Sequence, residues 1–386
     1  MRKAALIFFV LFLTPLCLWG GLGEDDGGFV VAEEDEIVPP DPLRQAWALM
    51  SAMTDEQKIY QLFIVSPEQL TQEKHTTAWP KENVLSSRPV GGVMIFGQNI
   101  VDEAQCAGMI RDIQSQAGKS RLFPLWIATE EEGGANSRVA NKLGYDYADA
   151  PEEIGKTGSA ELAWAAGEKI AAYLKPLGFN LTFAPTADTV KGQEQAACQL
   201  YGEEPALVSL LAGAMAEGLR NGGITPCYTH FPGFGPMRGN TLKALSIRRL
   251  PEEMKAREWI PFRDGIRAQI EMIQVSHGIV RSVGDDMPAS VSNVVINGLL
   301  RQELGYQGVV ATDSLRMSAV TDQYKTGQES LAALKAGADI LLLPPDLDAA
   351  VRAIRRAVET HELTMERVEE SVQRILAVKI RMGLIQ

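Results

Sequence analysis

The stretch "GVVATDS", residues 308–314, decides the fold class of this chain. A short apolar run follows a glycine and ends in polar residues, among them Asp313. A run in which apolar and polar residues do not alternate is typical of a strand buried on both faces of a parallel sheet. We therefore predict a parallel strand here, with Asp313 just after its apolar part.

Seven further runs of this kind lie along the chain: "IYQLFIV", "VGGVMIF", "LFPLWIA", "NLTFAPT", "TPCYTHF", "EMIQVSH" and "DILLLP". Segments with the apolar spacing of amphipathic helices lie between the runs, at residues 162–175, 205–221, 252–269 and 326–336. Eight strand–helix units predict an α/β protein with a single TIM-type (β/α)8 barrel, since open doubly wound sheets usually have fewer strands. Two smaller α/β domains are the alternative, but no linker interrupts residues 59–386. A last helix, within residues 365–384, is predicted to pack on the barrel exterior.

We place the barrel at residues 43–386 and interpret the preceding residues as a leader. Arg2 and Lys3 precede an apolar run at residues 4–19, which is short for the roughly 20 residues that span a bilayer. Residues 1–23 are thus expected to be an export signal, with an uncleaved membrane anchor as the alternative. Residues 24–42 hold eight acidic and no basic residues, which is typical of a flexible spacer. The protein is expected to be secreted or extracytoplasmic, either free or tethered through residues 4–19.

Composition narrows the classes of partner. The spacer supplies most of the net charge of −12, so the barrel is only mildly acidic and has no basic face suited to nucleic acid. Cys106, Cys198 and Cys227 follow the leader at unpatterned spacings, which predicts neither a disulfide framework nor a metal site. No Gly-rich dinucleotide motif follows the first run, so no cofactor is expected.

Polar residues follow five of the eight runs. Active sites of such barrels form at the carboxyl ends of the strands, so these residues are predicted to meet at one mouth. They are Glu130, Glu131, Glu132 and Arg138 after the third run, Asp188 after the fourth, Thr229 and His230 in the fifth, His277 in the sixth and Asp313 in the seventh.

Each of these residues also has a structural interpretation. Asp313 could be a helix N-cap or a turn former, and His277 a buried, hydrogen-bonded core histidine. Glu131 and Glu132 could be solvated acids in the first turn of a helix. The combination favours a functional site, because a barrel does not need charged residues at so many strand ends in order to fold.

Seven blocks of sequence carry a family resemblance: "MTDEQKIYQLF", "EEEGGANSRV", "LGFNLTFAPTADT", "THFPGFG", "LLRQELGYQGVVATDSLRM", "AGADILLL" and "SVQRILAVKIRMGL". In order and spacing, over residues 47–384, they resemble the barrel domain of family-3 glycoside hydrolases, specifically the single-domain β-N-acetylglucosaminidases (β-hexosaminidases).

The resemblance implies a carbohydrate substrate with β-linked sugars, such as a cell-wall glycan or an oligosaccharide, hydrolysed with retention through a covalent glycosyl-enzyme intermediate. Asp313 would be the nucleophile that attacks the anomeric carbon. His230 would hydrogen-bond a sugar hydroxyl, and Arg138 would clamp a nearby carboxylate or hydroxyl. Glu130, Asp188, His277 and Met317 complete the set of candidate substrate contacts.

The chain departs from the family where that family moves protons. These enzymes take their acid/base from an Asp-Ser-His triplet on the loop after the fifth strand, and here the triplet reads Asn240, Thr241, Leu242. Other departures are Thr229 for a lysine, Phe234 for a histidine, Gln199 for an arginine and Glu130 for an aspartate. The acids that could substitute are Glu194, Glu203, Glu204, Asp285 and Asp286.

Two hypotheses remain open at this point. One is a retaining glycosidase of altered specificity, which the retained Asp313 and His230 favour. The other is a catalytically impaired or inactive relative that serves as a carbohydrate-binding or scaffold module, which the missing triplet favours.

Overall fold

Each of the eight apolar runs contains one strand of a parallel sheet. The computed structural model describes residues 41–189, 200–233, 246–247 and 249–385. The strands of the sheet are β1 (Phe63–Val65), β2 (Gly92–Met94), β3 (Trp126–Thr129), β4 (Leu181–Thr182), β5 (Thr225–Phe231), β6 (Met272–Val275), β7 (Val309–Thr312) and β8 (Leu341–Leu342). Nearly all of their side chains are buried, as expected for strands covered on both faces. A second, two-stranded pair joins Ser246–Ile247 to Ile279–Val280.

The sheet closes on itself in chain order. β8 pairs in parallel with β1 at Phe63 and Leu341. Each strand from β1 to β6 pairs with the next one along the chain. The last seam, between β7 and β8, is joined by a parallel bridge between Ala311 and Ile340. This closure confirms the predicted single (β/α)8 barrel.

Helices surround the barrel. Within the described ranges they are α1 (Pro42–Met50), α2 (Asp55–Gln61), α3 (Pro67–Thr71), α4 (Glu103–Lys119), α5 (Arg138–Leu143), α6 (Pro151–Thr157), α7 (Ala160–Leu177), α8 (Pro205–Asn221), α9 (Pro251–Lys255), α10 (Trp259–Arg267), α11 (Ser318–Thr321), α12 (Gln328–Ala336), α13 (Leu347–Glu359), α14 (Met365–Arg381) and a π-helix (Val294–Glu303). Short 3₁₀ turns lie at Val84–Ser86, Gly97–Asn99, Gly134–Asn136, Arg281–Val283 and Ala289–Val291.

The predicted helical segments are found, with one interruption. Residues 205–221 form α8, and residues 162–175 lie within α7. The segment 252–269 is split into α9 and α10 by a turn at residues 256–258. Pro261 explains the split, because proline lacks the N–H of an interior helix position and its ring clashes with the carbonyl four residues earlier.

The first described helix begins one residue before residue 43, where we place the start of the barrel. Pro42, which we assigned to the spacer, is the first residue of α1, and Asp41 Oδ1 caps this helix by accepting from Leu43 N at 3.1 Å. The predicted signal at residues 1–23 and most of the spacer lie outside the described residues. Among the helices of the described part, none is both long enough and apolar enough to cross a bilayer.

Candidate active site

Asp188 and His230 form a pair at the carboxyl ends of β4 and β5. A parallel bridge between Thr186 and Thr229 holds the two segments side by side. His230 Nδ1 lies 2.9 Å from Asp188 Oδ2. The Asp188 side chain is 2% exposed, whereas the His230 ring is 22% exposed. The carboxylate is therefore enclosed by protein, and part of the imidazole remains open to solvent.

The pKa of His230 is set by burial and by the carboxylates of Asp188 and Asp313. Burial by itself lowers the pKa of His230, but the hydrogen bond and the charge of Asp188 outweigh it, and the charge of Asp313 adds to their effect. The pKa of His230 is raised to about 9. The ring is therefore protonated at neutral pH.

Asp313 lies directly after β7, in a turn that other residues hold in place. Its N–H donates to the Val275 carbonyl at 2.9 Å, and its Oδ1 accepts from Ser314 N at 2.7 Å. The side chain is partly exposed. The N-cap interpretation of Asp313 is wrong, because the next helix, α11, has Met317 at its N-cap position.

His277 and Met317 both hold this turn through the carbonyl of Ser314. That carbonyl accepts from His277 Nε2 at 2.9 Å and from Met317 N at 3.0 Å. The other ring nitrogen, Nδ1, lies 2.7 Å from Ser290 Oγ, and the ring is buried. Because a carbonyl oxygen can only accept, Nε2 is the donor to Ser314, and the Ser290 hydroxyl completes the hydrogen bonding of the ring. Of the two interpretations of His277, these contacts favour the buried, hydrogen-bonded histidine.

Glu130 and Arg138 pair with each other beyond β3. Arg138 Nη2 donates to Glu130 Oε2 at 2.8 Å, and Nε of the same guanidinium lies 3.3 Å from that oxygen. Both side chains are about half exposed. The carboxylate near Arg138 is thus that of Glu130, and both groups remain accessible to a ligand.

Glu131 is a structural acid. Its side chain is completely buried, and its carboxylate accepts from Val139 N at 2.8 Å, Ala140 N at 3.0 Å and Tyr173 Oη at 2.8 Å. It therefore satisfies two of the free N–H groups in the first turn of α5. Our interpretation of Glu131 as a solvated acid is wrong.

Glu132 is also buried, at 7% exposure, so the solvated interpretation fails for it too. Burial raises its pKa to about 8, although the charge of His230 acts in the opposite direction. The site therefore contains a second group that carries a proton at neutral pH. The chain turns sharply after Glu132 because Gly133 has a φ of +95°, and a Cβ there would lie 2.4 Å from the Asp149 carbonyl oxygen. The sequence signal for this turn was the Gly-Gly pair after three glutamates.

The family of this chain follows from the match of its sequence to a family model. The model of the glycosyl hydrolase family 3 N-terminal domain matches residues 54–378. The chain belongs to glycoside hydrolase family 3.

Similar proteins within family 3 include β-hexosaminidases. Beta-hexosaminidase A of Pseudoalteromonas piscicida is 28% identical over 340 residues, which cover 80% of this chain and 56% of that protein. Beta-hexosaminidase LpqI of Mycobacterium tuberculosis is 26% identical over 391 residues, covering 98% of this chain and 97% of that one. The solved structure of a family 3 β-N-acetylglucosaminidase from Paenibacillus sp. str. FPU-7 has a TM-score of 0.80 and 30% identity, and the match covers 86% of this chain and 63% of that chain. This chain thus spans less than two thirds of the Pseudoalteromonas and Paenibacillus proteins.

The loop positions that distinguish this chain from the family pattern lie largely outside the described residues. This applies to Asn240, Leu242, Phe234 and Gln199, and also to Glu194, one of the acids that could substitute for the triplet. Thr229, at the family's lysine position, is described: it is buried, and its Oγ1 has no hydrogen-bond partner among the described residues.

Four of the substitute acids proposed from sequence are described. Asp285 Oδ1 accepts from Met287 N at 3.0 Å and its Oδ2 from Ser292 Oγ at 2.5 Å, so it shapes its own loop. Asp286 pairs with Arg281 at 2.7 Å. Glu203 and Glu204 are exposed just before α8. These contacts give none of the four the environment of Glu132 or of the His230–Asp188 pair.

Proposed function

We propose that this protein is a retaining, β-N-acetylhexosaminidase-like glycoside hydrolase with Asp313 as its nucleophile. The supporting observation is the turn at the carboxyl end of β7, which presents a partly exposed carboxylate whose charge helps to raise the pKa of His230. The family and the names of the similar proteins support a β-linked N-acetylhexosamine as the sugar.

The hydrogen bonds that hold the turn at Asp313 suit a nucleophile. Attack on the anomeric carbon requires that the carboxylate be held near the sugar before reaction, because positioning in advance lowers the barrier. The Asp313 N–H donates a hydrogen bond to the Val275 carbonyl at the end of β6, and the Ser314 carbonyl accepts from His277 and Met317. The Glu130–Arg138 pair offers exposed polar groups for sugar hydroxyls.

Covalent trapping tests this assignment. A fluorinated N-acetylglucosaminyl donor with a good leaving group should add one sugar to the intact protein, and peptide mapping by mass spectrometry should locate it on Asp313. We expect Asp313→Asn to give no adduct and to lower the turnover of an aryl β-N-acetylglucosaminide by roughly 10³-fold or more, as the loss of a nucleophile does in other enzymes. Asp322→Asn, an exposed aspartate in the same loop region, is the matched control and should behave as wild type.

The second hypothesis, a non-catalytic sugar-binding module, is motivated by Asn240 and Leu242 in place of the acid/base triplet. It would be favoured by a folded wild-type protein that binds sugars but gives neither an adduct nor turnover across a panel of aryl β-glycosides. An adduct at a residue other than Asp313 would contradict the nucleophile assignment.

A further inference from the structure

The described residues around Asp313 contain a proton carrier that the family resemblance does not assign. We propose that His230, held by Asp188, is the acid/base of this site. It would supply the proton that the Asp-Ser-His triplet supplies in the family. This inference rests on the proposed function, since it takes Asp313 as the nucleophile.

The geometry of the pair suits proton transfer. Asp188 Oδ2 faces His230 Nδ1 at 2.9 Å, so the proton on Nδ1 is directed at the carboxylate. Thr186 Oγ1 lies 3.5 Å from the same oxygen and 3.4 Å from Asp188 N, which helps to keep the aspartate in place. A carboxylate beside an imidazole fixes its tautomer and stabilises the charged ring. Nε2, on the far side of the ring, is then the atom that exchanges a proton with the substrate.

The surrounding charges suit both halves of a retaining reaction. Asp188 after β4 and Asp313 after β7 both raise the pKa of the imidazole. While Asp313 is an anion, the ring stays protonated and can act as an acid. Once Asp313 is esterified by the sugar, its charge is lost, so the pKa of His230 falls and the ring becomes a better base.

The proton balance is as follows. In the first step Nε2–H gives its proton to the glycosidic oxygen while the bond from that oxygen to C1 breaks and a bond from Asp313 to C1 forms. The products are a neutral imidazole, a free alcohol and a glycosyl ester. In the second step Nε2 takes a proton from water, the water oxygen bonds to C1, and the Asp313 carboxylate leaves.

Glu132 is the competing candidate, because it also carries a proton at neutral pH. It is more deeply buried than the His230 ring, and no hydrogen bond to its carboxyl group is present among the described residues. His230 is therefore favoured on both access and fixed orientation. The variant Glu132→Gln serves as the comparison.

The test uses leaving groups of graded acidity in His230→Gln and His230→Ala. With aryl β-N-acetylglucosaminides of poor leaving groups, the rate of the first step should fall by roughly 10²- to 10⁴-fold, the usual contribution of a general acid. With a dinitrophenyl leaving group, which needs no protonation, the first step should stay within about tenfold of wild type. The second step should then limit turnover, and added azide should accelerate it and give a β-glycosyl azide.

Asp188 is tested as a positioning residue through the pH profile. Wild-type kcat/KM on a poor leaving group should fall as pH rises through about 9, the pKa at which His230 loses its proton. Asp188→Asn removes the largest effect that raises this pKa, so the basic limb should move to lower pH. With the dinitrophenyl substrate, the limb should not appear in either protein.

Three results would overturn the proposal. The first is an equal loss on every leaving group in both His230 variants without azide rescue, while Asp313 is still labelled, because His230 would then only bind the sugar. The second is a leaving-group dependence in Glu132→Gln instead, and the third is an unmoved basic limb in Asp188→Asn. A wild-type protein without an Asp313 adduct would reject the proposed function itself, which the labelling experiment separates from these outcomes.

Discussion

At the scale of the residue, burial sets the charge state of Lys379. Its position on α14 follows from helical spacing, but its side chain is completely buried. Nζ donates to the Gly91 carbonyl at 3.1 Å and lies 5.5 Å from the centroid of the Trp126 ring. Burial lowers its pKa to about 7. The folded protein therefore holds a lysine that loses its charge near neutral pH.

This lysine should make stability depend on pH in a defined window. Between about pH 7 and 10 the unfolded chain binds a proton at Lys379 that the folded protein does not, so its contribution to stability rises with pH by up to about 1.4 kcal/mol per unit. Below pH 7 the full cost of burying the charge applies. In Lys379→Met this term is absent, so the stability of wild type relative to the variant, measured by urea unfolding, should rise as pH rises from 7 to 10. Lys119→Met, at an exposed site, should show no such trend.

At the scale of the element, α7 and α8 pack through glycines. A Cβ on Gly167 would lie 2.3 Å from the Met215 carbonyl oxygen, and one on Gly218 would lie 2.2 Å from the Trp164 carbonyl oxygen. Each glycine thus lets the backbone of the facing helix approach closely. The two helices lie in consecutive βα units, on either side of the strand end that carries Asp188.

Adding one methyl group at this crossing should destabilise the fold. Gly218→Ala would push α7 and α8 apart, at a cost of about 1–3 kcal/mol, typical of overpacking. Gly118→Ala in α4 is the control: no atom lies within 4 Å of the added Cβ, so it should be neutral or stabilise by up to about 1 kcal/mol. Chemical denaturation of both variants checks this, and equal effects would contradict the close-approach explanation.

At the scale of the whole molecule, Asp339 lies at the seam where the barrel closes. It precedes β8 and is fully buried. Its Oδ2 accepts from Val310 N at 2.9 Å and from Arg301, and its Oδ1 accepts from Ser371 at 2.6 Å and Arg374 at 3.1 Å. One carboxylate thus joins β7, the π-helix and α14 around the seam. Burial would raise its pKa, but the arginines outweigh this and lower it.

Asp339→Asn should weaken the closure of the barrel. It leaves buried guanidinium groups without their anion, which should cost about 3–5 kcal/mol. Because the folded pKa is lowered, the wild-type advantage is present above the unfolded value of about 3.9 and is lost as pH falls through the folded value. Urea unfolding at pH 7 and at progressively lower pH should show the two proteins converging. Asp286→Asn, at an exposed ion pair, should change little.

The sequence by itself determined the barrel and the side of it on which polar groups collect. Strands buried on both faces leave a local signature, continuous apolar runs, and parallel closure brings all carboxyl ends to one face. That is why Asp313, His230 and Asp188 could be placed at one mouth from their positions after the runs alone. The family blocks added the expected nucleophile, again without any knowledge of contacts.

Only the tertiary structure decided which acids are structural and which can carry a proton. Glu131 and Glu132 are neighbours in sequence, yet one caps α5 and the other remains a buried neutral acid. The pairing of His230 with Asp188 joins residues 42 positions apart. Hydrogen-bond partners and burial come from segments far apart in the chain, so no local pattern records them. They nevertheless set the pKa values, and with them the roles, of the groups at the mouth.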